Sequence, residues 1–157
     1  MKIAKKILLA ILLIFIAMQF YRPSKNTAQG NHTKIFITET NPPQEVKIVL
    51  EKSCYDCHSN NTIYRWYNNI APVSYWLAEH IKHGKENLNF SEWDSLSVKK
   101  KDHKLEEIIE VLEDGVMPLK EYLWNHDEAK LTYDQKTAIT DWAKRSRVLY
   151  QLNQQPR

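Results

Sequence analysis

Hydrophobic and polar positions divide the chain into two unlike parts. The first is "ILLAILLIFIAMQF", Ile7 to Phe20, which carries no charge and follows Lys2, Lys5 and Lys6. The second, from about residue 44, repeats apolar positions every three or four residues, the period of a helix with one buried face. "PPQEVKIVLEKSC" places Val46, Val49 and Leu50 on one face, with Pro43 suited to a first turn. "APVSYWLAEHIKHG" aligns Val73, Trp76, Leu77, His80 and Ile81, and Gly84 reads as its stop. "SVKKKDHKLEEIIEVLEDG" aligns Leu105, Ile108, Ile109 and Leu112 before Gly115, and its charged run reads as a solvated face. "TYDQKTAITDWAKRSRVLY" opens with Thr132 three residues before Gln135, a capping box, and then buries Ala138, Ile139 and Trp142. The pattern predicts an all-α domain of about four helices. "KIFIT" could form a stray strand but has no partner, and three glycines in 157 residues suit helices better than hairpins.

A basic start before an apolar run is an export signal. No clean small-residue cleavage site follows, so the expectation is an uncleaved signal-anchor over residues 1–21, with a cleaved signal and a soluble periplasmic protein as the alternative. The fourteen residues from Ile7 to Phe20 would span roughly 21 Å as a helix, short of the ~30 Å hydrocarbon core. Counting from Ile3 to Tyr21, with Lys5 and Lys6 reaching back to the headgroups, gives roughly 28 Å. Lysines before the segment direct the bulk of the chain outward, a single-pass protein with its domain in the periplasm. With no cysteine near residue 20, a lipoprotein anchor is excluded. Residues 22–43 are polar, carry Pro23, Gly30, Pro42 and Pro43, and read as a tether to a domain at 44–157.

The anchor changes the meaning of the net charge of +3. Residues 1–22 hold four basic and no acidic residues, leaving 18 basic against 19 acidic in the remainder. No clustered basic face remains to suggest a nucleic-acid partner.

The chemistry centres on Cys54-Tyr55-Asp56-Cys57-His58, which holds both cysteines. A redox disulfide would need a strand–helix context, and the surroundings are helical. A structural zinc would need two further ligands, for which only scattered histidines are available. The third reading is covalent haem, since CxxCH is the attachment motif of haem c. Two cysteines three positions apart can each meet one vinyl group along a porphyrin edge, and the next residue offers its imidazole to the iron. Met117, directly before Pro118 and just after the stop at Gly115, is the domain's only methionine and the candidate sixth ligand. A thioether there favours reduced iron, while the bland alternative is core packing. Histidine is the rival ligand: His80 lies on its apolar stripe, where a lone histidine is more often a satisfied core residue, and His126 is expected to cap or hydrogen-bond locally. His32 and His103 read as solvated.

"CYDCHSNNTIYRWYNNIAPVSYWLAEHIKHGKENLNFSEW" and "GVMPLKEYLWNHDEAKLTYDQKTAITDWA" together resemble the bacterial haem-binding domain proteins, small exported single-haem proteins of c type. One departure is Arg65, where that family tends to have proline before the tryptophan of "YRWY". The resemblance implies a small cytochrome c-like helical domain around one covalently bound haem c. It implies Cys54 and Cys57 as thioether sites, His58 as proximal ligand and Met117 as distal ligand. The expected function is electron carriage between redox partner proteins at the outer face of the cytoplasmic membrane, with no catalysis. The alternative is a peroxidase-like enzyme or gas sensor whose sixth position opens, with His80 or His126 working beside Glu79 or Asp127. Trp66, Tyr67, Tyr75, Trp76, Trp93, Tyr122 and Trp124 read mainly as core, some walling the haem. Arg65, Asn89 or a tryptophan N–H is expected at a propionate.

Overall fold

A computed structural model describes residues 2–154; Met1 of the expected anchor and residues 155–157 of the expected domain lie outside the described residues. In chain order the helices are α1 (Lys2–Met18), α2 (Lys34–Thr40), α3 (Gln44–Ser53), α4 (Tyr55–His58), α5 (Val73–Asn87), α6 (Val98–Glu113) and α7 (Tyr133–Gln154). Short 3₁₀ turns lie at Trp66–Asn69, Phe90–Ser95, Tyr122–Trp124 and Asp127–Ala129. Among the described residues there is no strand, only an isolated antiparallel bridge between Thr27 and Asn61. The all-α expectation is met, with more and shorter elements than four.

The long helices follow local rules. Ser97 caps α6 by accepting a hydrogen bond from Lys100 N. At its other end Gly115 takes φ +66°, and the amides of Gly115 and Val116 return to the carbonyls of Leu112 and Val111 at 3.3 and 3.0 Å. That is a Schellman cap, which needs a left-handed residue and so favours glycine. Thr132 and Gln135 form the expected capping box before α7, each side chain accepting from the other's backbone N–H at 3.2 and 2.9 Å. α6 and α7 then pack along one another, burying Leu105, Ile108, Ile109 and Leu112 against Ile139, Trp142 and Ala143. α3 adds Val46, Val49 and Leu50 to the same core, as its stripe predicts.

The segment expected as a tether departs from its reading. "KIFIT" begins a helix, α2, and Phe36 within it is fully buried. Its ring meets Phe90, Trp93 and Trp142 at centroid distances of 4.6, 5.0 and 5.8 Å, the tilted and edge-on geometries aromatic rings prefer. The carbonyl of Thr40 accepts from Trp142 Nε1 at 2.9 Å and Ser146 Oγ at 3.3 Å, tying the end of α2 to α7. β-Branched residues suggest a strand locally, but a phenylalanine buried by three aromatic neighbours outweighs a propensity worth only tenths of a kcal/mol.

The charged run of α6 is also less solvated than its sequence suggests. Lys101 is buried and donates to Glu39 at 2.7 Å, and Glu39 also accepts from the Tyr150 hydroxyl at 2.9 Å. Arg147 on α7 bridges Asp102 and Glu106 at 2.9 and 2.8 Å. These pairs sit on the sides of α6 that face α2 and α7.

α1 stands apart. Its side chains from Lys2 to Ala17 are all exposed. No helix among the described residues is long and apolar enough to cross a membrane. The segment expected at 1–21 is therefore a 17-residue exposed apolar helix, and a span is not seen.

Phe36→Ala is expected to cost about 3–5 kcal/mol, the usual loss for a buried aromatic. Chemical denaturation of the whole chain measures it; a change below ~1 kcal/mol would mean that residues 34–40 do not belong to the core.

Candidate functional site

α3 ends at Ser53 and the chain turns at Cys54, whose amide still reaches Leu50 O at 3.0 Å. α4 is the next single turn: Cys57 N and His58 N both donate to Cys54 O, at 3.2 and 3.0 Å. One turn thus carries both cysteines and the histidine.

α5 lies directly against that turn. The contact is made at Gly84, where an added Cβ would stand 2.5 Å from Cys57 O and 3.1 Å from Cys57 Cβ. Gly84 was expected to end its helix, but α5 continues to Asn87. The glycine is there for close approach. A glycine inside a continuing helical pattern is itself a sequence signal for such a contact.

The same end of α5 orients the histidine. His58 Nδ1 donates to Leu88 O, the helix's C-cap residue, at 3.0 Å. That fixes the tautomer and leaves Nε2 as the lone-pair nitrogen, the arrangement found behind metal-bound histidines. Burial lowers the His58 pKa, partly opposed by the backbone carbonyls of Leu88 and Gly84, so the neutral ring is favoured.

Both thiols are driven the other way. Burial, with each thiol's acidic neighbour (Cys57 for Cys54, Asp56 for Cys57), pushes each of them up to about 12. Disulfide-exchanging cysteines are instead depressed, to favour the thiolate. No group of three or more His, Cys, Asp or Glu among the described residues is placed to hold a metal ion by itself. The redox-disulfide reading needs a strand beside the motif, and among the described residues there is none.

The turn opens onto a cavity of about 550 Å³, within the ~300–1,000 Å³ usual for cofactor sites. Cys54, Cys57 and His58 line it together with Met117, bringing all four expected site residues to one space. Leu50, Leu88, Phe90, Ile108, Val111 and Leu119 make its walls apolar, while His80, His83, Asn87, Glu107 and Glu110 add polar groups. Met117 is tethered through its amide to Val111 O at 3.2 Å, so the Schellman turn of α6 delivers it there. A neutral, oriented imidazole, two protonated thiols and an apolar chamber fit a haem; His58 and Met117 would hold its iron, and Cys54 and Cys57 its edge.

A second set of contacts ties the methionine loop to the cysteine turn. Tyr122 donates its hydroxyl to Asp56 Oδ2 at 2.9 Å, and its ring stacks on His126 at 3.8 Å. Burial and the Asp56 carboxylate raise the Tyr122 pKa strongly, keeping the donor protonated. His126 is buried, donates from Nδ1 to Tyr122 O at 2.9 Å and pairs through Nε2 with the Tyr67 hydroxyl at 3.2 Å. It does not line the cavity.

Other expectations are redistributed. Asn89 spends its amide on Asn60 and Ser91 N, at 2.9 and 3.0 Å. Arg65 pairs with Glu128 and Asn125 O, and neither Arg65 nor Asn89 lines the cavity. Trp93 Nε1 donates to Tyr150 and Trp142 Nε1 to Thr40 O. His83, His80 and Asn87 are among the polar side chains at the cavity instead. Of the aromatic residues expected in the core, Trp93 is buried, whereas Trp66 and Trp124 are each 76% exposed.

No curated protein and no solved structure matches the chain. Comparison with known families does find a match: residues 13–145 correspond to the haem-binding domain family. That range contains α2 through most of α7, both cysteines, His58 and Met117. With a fitted cavity at the CxxCH turn and a match over most of its length, the chain belongs to the haem-binding domain family.

Proposed function

We propose that the protein is a c-type electron carrier with one covalently attached haem. Cys54 and Cys57 would be its thioether sites, and His58 and Met117 its axial ligands. The observation that carries this reading is the single cavity onto which all four side chains open. Bound haem supplies a one-electron ferric/ferrous couple. The chain's part is to fill both axial positions and keep water away: Leu88 O holds the imidazole in its binding tautomer, the Val111 carbonyl and the Tyr122–Asp56 hydrogen bond hold the methionine loop, and apolar walls lower the local dielectric. With no position left for a substrate, such a site exchanges electrons with redox partner proteins.

α1 supports a place at the outer face of the cytoplasmic membrane. Its 17 residues rise roughly 26 Å, close to the thickness of a thin bilayer once Lys2, Lys5 and Lys6 extend to the headgroups.

One observation favours a second reading, a haem enzyme or sensor whose sixth ligand can be displaced: His80 also lines the cavity. The carboxylate expected beside it is engaged elsewhere. Glu79 pairs with His83 at 2.8 Å, and His80 Nδ1 donates to Trp76 O at 2.8 Å. Asp127, expected beside His126, pairs with Lys130 at 2.6 Å.

A pyridine haemochrome spectrum of the purified protein should be that of covalent haem c, and acid–acetone should leave the colour on the polypeptide. The ferric protein should show the weak far-red band of an iron–thioether bond. Met117→Ala should abolish that band, admit cyanide or carbon monoxide, and lower the reduction potential by on the order of 0.1 V, a fraction of the ~0.8 V that axial ligation commands. A band that survives the substitution would assign the sixth position elsewhere.

Gly84→Ala is expected to cost about 1–3 kcal/mol and to reduce the haem bound per chain, because its methyl group has no room against Cys57. The sign is informative. An alanine in an unconstrained mid-helix position would instead stabilise by ~0.5–1 kcal/mol. Thermal unfolding and the ratio of haem to protein absorbance measure both effects.

A further inference from the structure

The root of α1 is fastened to the domain rather than free. Gln19 clasps the Ala71 peptide from both sides, its Oε1 accepting from Ala71 N at 3.0 Å and its Nε2 donating to Ala71 O at 3.2 Å. The Tyr75 hydroxyl donates to Met18 O, the last residue of α1. The Tyr21 ring sets against that of Tyr75 at 5.5 Å. Farther on, Asn26 donates to Ser59 O at 2.8 Å and Thr62 Oγ1 at 2.9 Å, and accepts from Lys85 at 2.8 Å. Residues 18–28 therefore hold the apolar helix against the start of α5 and the loop after the haem motif.

The surface beside that root is unusual. "WYNNIAPVSYWLA", Trp66 to Ala78, contains no charged residue. Ile70, Val73 and Trp76 are exposed there, as are Phe20 and Tyr21 on the α1 side. Arg22 and Lys25 line a small cleft together with Gln19, Tyr21, Ala71 and Ser74, putting two cations at the edge of the apolar face. Aromatic rings over apolar side chains, rimmed by cations and continuous with an exposed apolar helix, match the chemistry of a bilayer's interfacial layer, with phosphates at the rim and acyl chains beyond. Every exposed residue of this stretch, Trp66, Asn69, Ile70, Pro72, Val73 and Trp76, is uncharged.

We infer that the face formed by Phe20, Tyr21, Ile70, Val73 and Trp76 is seated in the interfacial layer of a lipid bilayer. The haem domain is then held on the membrane in one orientation instead of swinging on a tether. This rests on the proposed membrane anchoring by α1. The first turn of α5 lies at the bilayer, and the last turn of the same helix carries Gly84 and Leu88 at the haem motif. Its 15 residues set the stand-off of that motif from the lipid at roughly 20 Å along the helix.

The full-length haem-loaded protein is reconstituted in phosphatidylcholine vesicles, plain or brominated in the upper acyl chain. Val73→Cys and, independently, Trp76→Cys carry a thiol-reactive fluorophore, with labelling of the wild type subtracted. Both positions are exposed, so neither change disturbs the core. Brominated lipid should quench each label at least twofold relative to plain lipid. A parallel alkaline-carbonate wash tests the anchor alone. Protein retained by the membrane with unquenched labels overturns the inference and leaves the anchor standing; protein released into the wash overturns both.

Discussion

The placement of α5 against the cysteine turn governs the rest of the site. The backbone of α5 can approach Cys57 closely only because residue 84 has no side chain. Four residues later the helix ends, and the carbonyl exposed at that end accepts a hydrogen bond from His58 Nδ1. A helix terminus always leaves carbonyls without intrahelical partners; here one of them, Leu88 O, orients the His58 ring. The helix then hands the chain to Asn89 and Phe90, and Phe90 packs on Phe36 at the centre of the core. Imidazole orientation and core packing are thus coupled through one helix end. Few substitutions near it could affect either property alone.

The region ahead of the haem motif shows how composition can mislead. Residues 22–43 are polar and contain three of the chain's six prolines, which describes a tether. Within them α2 supplies Phe36 to the core, Pro42 is fully buried, and Asn26 braces the loop that follows His58. A segment can be polar on average and still be integral if one large side chain finds a deep socket. Mean polarity does not register that socket, because one phenylalanine hardly changes an average over twenty-two residues.

What the sequence made legible was whatever depended on local periodicity. α3, α6 and α7, most of their buried residues, the capping box before α7 and the turn at Gly115 all follow from spacing. So does the meeting of both cysteines with His58, since they share one turn. That Met117 reaches the same cavity was proposed from its place beside a helix stop, and the Schellman cap is the physical means. The stripe on α5 was read correctly as helical but wrongly as core. Only Ile81 of it is buried, while Val73 and Trp76 face outward. Periodicity reports that a face is apolar; it does not say whether protein, cofactor or lipid covers it. The pairs Asp56–Tyr122 and Gly84–Cys57 were hidden for a different reason. Each joins segments far apart in the chain, and neither residue type announces its partner.

The state of the cysteines bears on how the site is completed. Burial pushes both thiols on this one turn up to about 12, which favours their protonated form. They are also free in this fold rather than joined. The chamber beside them is about 550 Å³ and walled largely by apolar side chains, which need a partner of matching shape to pack against. A haem seated there, the group that the family binds, would supply that packing. The core would then be complete only with its prosthetic group in place, and stability and haem content should be properties of one folding unit, not two.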